Sequence, residues 1–240
     1  MAHLYLMPGW FLGYDIVLHL LFAIVTLIVS IFAFRVYRLS AQRQPKFFAT
    51  AFLFISMAYL VNAIMHFFII SELNENICSA FKLASVAVLE LIGAYFYIVL
   101  FSIGLVTLTY MTLRVRSVKV YCLLLITVLI SFLFTAEPLQ LYHLLSSLLL
   151  VYIIIHYLIN FLSKKKINAL LMLAAFSLLL LGNFHFIFSI TSGEEYYVIA
   201  HFFDLIAYLL ILLNLILVQR HEQKARPTSN RAWYSESCSR

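Results

Sequence analysis

Two acidic residues stand inside runs that are otherwise apolar. Asp204 follows His201 in Ala200–Asn214, AHFFDLIAYLLILLN, and Glu90 opens the phrase Glu90-Leu91-Ile92-Gly93, which matches Asp204-Leu205-Ile206-Ala207. An ionisable side chain at membrane depth costs about 2.5–3.5 kcal/mol on insertion scales, so it faces a partner or a polar cavity. His19, His66, His143, His185 and His201 lie in runs of the same kind. Neutral imidazole ligates zinc, copper and iron, and imidazole with carboxylate can also relay protons.

Spacing sorts these residues onto faces. Asn62 with His66, and His201 with Asp204 and Tyr208, stand one turn apart on their respective helices. Asp15, His19, Thr26 and Ser30 fall on one stripe, and His143, Ser146 and Ser147 share a face. His185 lies only two residues from Asn183 and points nearly opposite, so it either lines a second subsite or packs between helices.

The elements that must position these groups are membrane spans. Hydrophobic residues make up 65% of the chain and charged residues 11%, and mean hydropathy is +1.02, far beyond a soluble domain. A window of about 20 apolar residues yields seven spans: Tyr14–Phe34, Phe47–Ile70, Leu83–Leu108, Val118–Thr135, Leu139–Leu162, Ile167–Ile190 and Tyr196–Val218. The opening MAHLYLMPGW has no basic n-region and no small-residue cleavage site, so the first run is expected to be a retained helix. Cys78, Cys122 and Cys238 are scattered and form no disulfide framework or CxxC motif.

Charge gives a direction. Arg35, Arg38, Arg43, Lys46, Arg114, Arg116, Lys119, Lys164, Lys165, Lys166 and the basic residues after span seven all fall on one side. Lys82 falls on the other, with Glu72, Glu75, Glu137, Glu194 and Glu195. The positive-inside rule therefore puts the N-terminus outside and the C-terminus in the cytoplasm of a multi-pass cell-membrane protein. The net charge of +6 is cytoplasmic-face charge that attracts anionic inner-leaflet lipids, not a nucleic-acid signature. Residues 220–240 are expected to form a basic, disordered tail.

Spans one to three resemble spans five to seven. His19-Leu20-Leu21 matches His143-Leu144-Leu145, Ser56 and Asn62 match Ser177 and Asn183 at equal spacing, and Glu90 matches Asp204. Three crossings invert a direct duplicate, and one added crossing restores it. This gives a 3+1+3 plan: unit one at 14–113, a linker helix at 118–135 and unit two at 139–219. The plan is similar to that of SWEET sugar transporters, which are built from parallel repeats. The likeness is architectural, because Pro8, Pro45, Pro138 and Pro227 lie outside the spans or at their ends rather than within them as hinges.

Counting inward at 1.5 Å per residue puts the histidines His19, His66, His143, His185 and His201 roughly 8–13 Å from the outer boundary. Glu90 and Asp204 lie at similar depth, with Asn62 and Asn183 slightly deeper. The inner half holds fewer polar groups, chiefly His156 and Asn160. Four uses fit such a layer. They are hydrogen bonding between helices at about 0.6 kcal/mol per bond, a polar ligand pocket, a metal or haem site, and a proton or ion path. Haem would need axial pairs such as His19 with His66, or His143 with His185.

Several families are excluded by their motifs. No HxxxH or HExxH occurs, and the pattern of the adiponectin-receptor and ceramidase hydrolases lacks its histidine pair in the last span, so catalysis is not expected. Tyr208 stands where a retinal protein needs its lysine. YMTLR and NLILV replace the DRY and NPxxY of conventional G-protein-coupled receptors.

The expected protein is thus all-α, with seven transmembrane helices in one domain at 1–219. Its expected function is to bind or sense a small polar ligand or metal ion in an outer-leaflet cavity and to signal through a separate cytoplasmic or membrane partner. Transport of a small solute, with or without protons, is the alternative, and a structural subunit of a membrane complex the third. Candidate ligand-binding residues are Glu90, Asp204, His201, His66, Asn62, Asn183 and Tyr208. Candidate metal ligands are His19, His66, His143 and His201, for a transition metal or haem.

Overall fold

Long apolar runs in lipid must satisfy their own backbone, so they become helices. Among the described residues seven follow in order: α1 (Leu12–Ser40), α2 (Arg43–Asn74), α3 (Ser79–Leu113), α4 (Val118–Leu133), α5 (Pro138–Lys164), α6 (Ile167–Ser192) and α7 (Glu195–Ala225). The computed structural model describes residues 11–40, 42–74, 79–113, 117–135, 137–193 and 195–225; for Glu90 and several residues near helix ends it describes the backbone alone. Six helices are long and apolar enough to cross a membrane, and α4 is a shorter apolar helix. The chain is a multi-pass membrane protein.

Every expected span falls within a helix except the fourth, which stops at Leu133 rather than Thr135. Pro138 explains the early stop. It pushes the preceding residue out of helical backbone, and Glu137 has φ −124° and ψ 77°. Pro138 then begins α5, at a position where a missing N–H is harmless. At its other end α5 closes through Lys165, at φ 47° and ψ 32°, whose N–H donates to the Phe161 carbonyl at 2.7 Å. That left-handed backbone disfavours a side chain by about 1–2 kcal/mol. Lys165→Gly is therefore expected to raise stability by about 1 kcal/mol, read as a later midpoint in denaturing-detergent titration; no shift would mean that the cap is strain-free. The polar tail expected from residue 220 begins as helix, because α7 continues to Ala225, and residues 226–240 lie outside the described residues.

The surface is apolar and the interior holds polar groups. On α1, Val17, Leu20, Leu21, Ile24, Leu27 and Ile31 face outward, while Asp15, His19, Thr26 and Ser30 are buried. This inversion suits a lipid surround. Around the interior the helices close into a ring: α1 packs on α2 and α7, α3 on α2 and α5, and α6 on α5 and α7. The remaining helix, α4, lies outside against α3 and α5, with Val128 and Phe132 packed near Ile98 and Tyr142.

Small residues let the ring helices approach closely, as membrane packing favours. Ala51, Ala58, Ala175, Ala200 and Ala207 are all fully buried. Serine hydroxyls then bind neighbouring backbones: Ser30 donates to the Ala49 carbonyl at 2.7 Å, and Ser56 to that of Ala23 at 2.8 Å. Both bonds fasten α1 to α2 and fix which face of α1 looks inward. That face carries the site.

Candidate functional site

The centre of the site is Asp15, one turn into α1 and 0% exposed. Three helices supply its partners. His66 of α2 places Nδ1 2.6 Å from Oδ2, while from α7 the Tyr197 hydroxyl donates to Oδ1 at 2.9 Å and His201 Nε2 stands 3.1 Å from the same oxygen. His19, one turn along α1, sets Nδ1 2.8 Å from the Asp15 main-chain carbonyl and 3.2 Å from Oδ2. A carboxylate offers about four lone-pair positions; His66, Tyr197 and His201 take three of them, while the short contact of His19 Nδ1 is with the main-chain carbonyl.

The imidazoles also pack on one another. The His19 ring centroid lies 5.5 Å from that of His66 and 5.2 Å from that of His201. Aromatic rings wall off His201, with Tyr197 at 4.5 Å and Phe186 at 5.1 Å. His19 Nε2 is held by the Asn62 amide at 2.9 Å. His201 Nδ1 is buried and has no hydrogen-bond partner. Since Nε2 faces the Asp15 carboxylate, where an N–H belongs, Nδ1 is left as a bare lone pair.

Ligand atoms of Asp15, His19 and His201 all lie within 4.8 Å of one another. Small side-chain rotations would bring them to the 2.0–2.2 Å at which zinc holds nitrogen and carboxylate oxygen. A cavity of about 60 Å³ adjoins them, lined in part by His19, Asn62, His66 and His201. By this measure a water needs about 10–15 Å³, so the space holds a few waters or an ion.

The other predicted residues separate into two groups. Asn183 and His143 form a pair of their own: His143 Nδ1 donates to Asn183 Oδ1 at 2.6 Å, and Asn183 Nδ2 donates to the His143 carbonyl and Ser147 Oγ, both at 2.8 Å. Every amide bond direction but one is thereby used to fasten α5 to α6. Asp204 and Tyr208 face a separate central cavity, with the Tyr208 hydroxyl 2.8 Å from that of Tyr59. His185 stays apart from both groups. Its Nδ1 is bonded to the Leu181 carbonyl of its own helix at 2.7 Å, and its ring packs against Tyr196 and Phe203. The Glu90 side chain lies outside the described residues.

Two residues at the centre, Asp15 and Tyr197, are not among the ligands expected from sequence. Asp15 does carry a signal there, one turn from His19 on a polar stripe. An acid so near the end of an apolar run ordinarily sits at the headgroup level, so the stripe alone does not single it out. Tyr197 reads equally well as an interfacial anchor. No protein-family model matches this chain, and no curated protein or solved structure matches it either.

Proposed function

We propose that this chain binds a transition-metal cation, with zinc as the reference ion, through Asp15, His19 and His201, and with His66 at the rim as a fourth donor. The observation that carries the reading is the convergence of a fully buried carboxylate and two buried imidazoles within 4.8 Å. Mixed imidazole and carboxylate donors are the set that zinc and its neighbours take. The adjoining 60 Å³ is far too small for a porphyrin, which favours a bare ion over haem.

The architecture goes with this reading as a seven-crossing, 3+1+3 bundle. Exchanging α1, α2 and α3 for α5, α6 and α7 maps every ring contact onto another ring contact. The matched residues meet in each half, though through different atoms: Asn62 Nδ2 with His19 Nε2, and His143 Nδ1 with Asn183 Oδ1. On the orientation argued from charge, the metal site faces outward and the basic ends face the cytoplasm. A bound cation can signal to a partner or cross the membrane, and the cavities beneath the site favour crossing.

Asn62 supplies the test. A metal on His19 Nδ1 would move the ring proton to Nε2, and Asn62 would turn its amide to accept it. Outer partners of this kind are worth about 10–100-fold in metal affinity. Titration of the purified chain with zinc chloride is expected to give near-stoichiometric binding, weakened about 10–100-fold in Asn62→Leu and largely kept in Asn62→Asp. Absence of saturable zinc binding to the wild-type chain would refute the proposal.

A further inference from the structure

Beneath the Asp15 cluster, the ring encloses a central cavity of about 30 Å³. Asp204 lines it, 7% exposed, and has no hydrogen bond or salt bridge among the described residues. Such a carboxylate in the middle of a membrane protein is costly unless it takes a proton or something positively charged meets it. Gly182 on α6 leaves room for it: a Cβ there would lie 2.7 Å from Asp204 Oδ1. The hydroxyl-bearing rings of Tyr59 and Tyr208, and the imidazole of His143, line the same space.

This cavity adjoins the outer one. Tyr97, His143 and Phe186 line both, forming the neck between them. His143 Nδ1 is taken by Asn183, so Nε2 is the ring's remaining lone pair at that neck. Toward the basic end of the bundle a third cavity opens, of about 270 Å³, lined in part by Asn160, Asn168 and Asn214. The side-chain oxygens of Asn168 and Asn214 are buried without a hydrogen-bond partner. Between the central and inner cavities Phe176, lining the first, stacks on Tyr157, lining the second, with centroids 5.4 Å apart.

We propose that these three stations form a path for a small cation, and that Asp204 is its mid-membrane binding residue. The path runs from the Asp15 cluster, through the His143 neck to Asp204, and on to the amide oxygens of Asn168 and Asn214. In the structure it is open to neither passage nor bulky solutes: the central cavity takes an ion with a water or so, and the Phe176–Tyr157 stack seals its inner side. Tyr157 belongs to α5 and Phe176 to α6, so a shift of these two neighbouring helices against each other would part the stack. The proposal rests on the cation reading of the Asp15 cluster, because the same ion enters there.

The test reconstitutes the full chain in phosphatidylcholine and phosphatidylglycerol vesicles that enclose a zinc-sensitive dye, adds zinc chloride outside, and measures zinc binding to the same purified protein in detergent. The wild type is expected to show saturable influx well above that of protein-free vesicles. Asp204→Asn is expected to slow it at least tenfold while stoichiometric binding at the outer cluster persists. Should Asp204→Asn fail to fold, Asn214→Leu, remote from both acids, is expected to show the same loss. Wild-type binding without influx overturns the path and leaves the outer site standing. Influx unchanged in both variants removes Asp204 and the inner amides from it. Influx without binding at the outer cluster, but lost in Asp204→Asn, removes the Asp15 reading and keeps Asp204. Neither binding nor influx overturns both.

Discussion

Asp15→Ala is expected to abolish stoichiometric zinc binding, lowering affinity at least about 100-fold, the upper end of what loss of a mere outer partner costs. Among the described residues Asp15 is the group that touches every other member of the cluster: two imidazoles and a phenol from α2 and α7, and His19 on its own helix. Removing it deletes an oxygen ligand and also the acceptor that orients the rings. Asp15→Asn separates these effects, since it keeps the shape and an acceptor but not the charge. It is expected to bind zinc more weakly than the wild type and to stay better folded than Asp15→Ala. Elemental analysis of chelator-free protein, with a zinc titration of each variant, checks both. Full zinc occupancy in Asp15→Ala would assign the metal to some other set of residues.

The second large effect belongs to the packing that builds the ring. At Gly104 of α3 an added Cβ would lie 2.8 Å from the main-chain oxygen of Ala51 and 2.7 Å from Cγ1 of Ile55, both on α2. A backbone oxygen has little freedom to move aside, so even alanine must push α2 and α3 apart. Overpacking of this kind costs about 1–3 kcal/mol, and Gly104→Val is expected at or above the top of that range. Gly93, between the same two helices, is the internal control, because its added Cβ would meet Met65 alone, at 2.9 Å from Cγ and 3.0 Å from Cβ, and no main-chain atom. Unfolding midpoints in denaturing detergent should fall much further for Gly104→Ala than for Gly93→Ala. Equal shifts would mean that helix propensity, not the close approach, governs both.

The helices were legible in the sequence because a bilayer imposes a length and a polarity on anything that crosses it. Seven apolar runs became seven helices, and the run before Glu137-Pro138 ended early for a reason proline supplies. The polar stripe of α1 was also legible: Asp15, His19, Thr26 and Ser30 are all buried. The pairing of His143 with Asn183 was not, because it comes into view only once α5 lies against α6.

Helical period tells which residues share a face, but it is silent on which faces meet. That Asp15 faces His66 and Tyr197 follows from α1 packing between α2 and α7, a choice made by alanine contacts and serine–carbonyl bonds spread along the helices. The same packing order holds His201 against Asp15 while Asp204, one turn later, lines a different cavity. It also leaves His185 bonded to its own helix, among aromatic rings. Sequence alone therefore determined a helical membrane protein with carboxylates and imidazoles inside it. Only tertiary packing decided that Asp15 is the centre of the cluster, because contacts between helices are fixed by the shapes of whole faces, which no single spacing encodes.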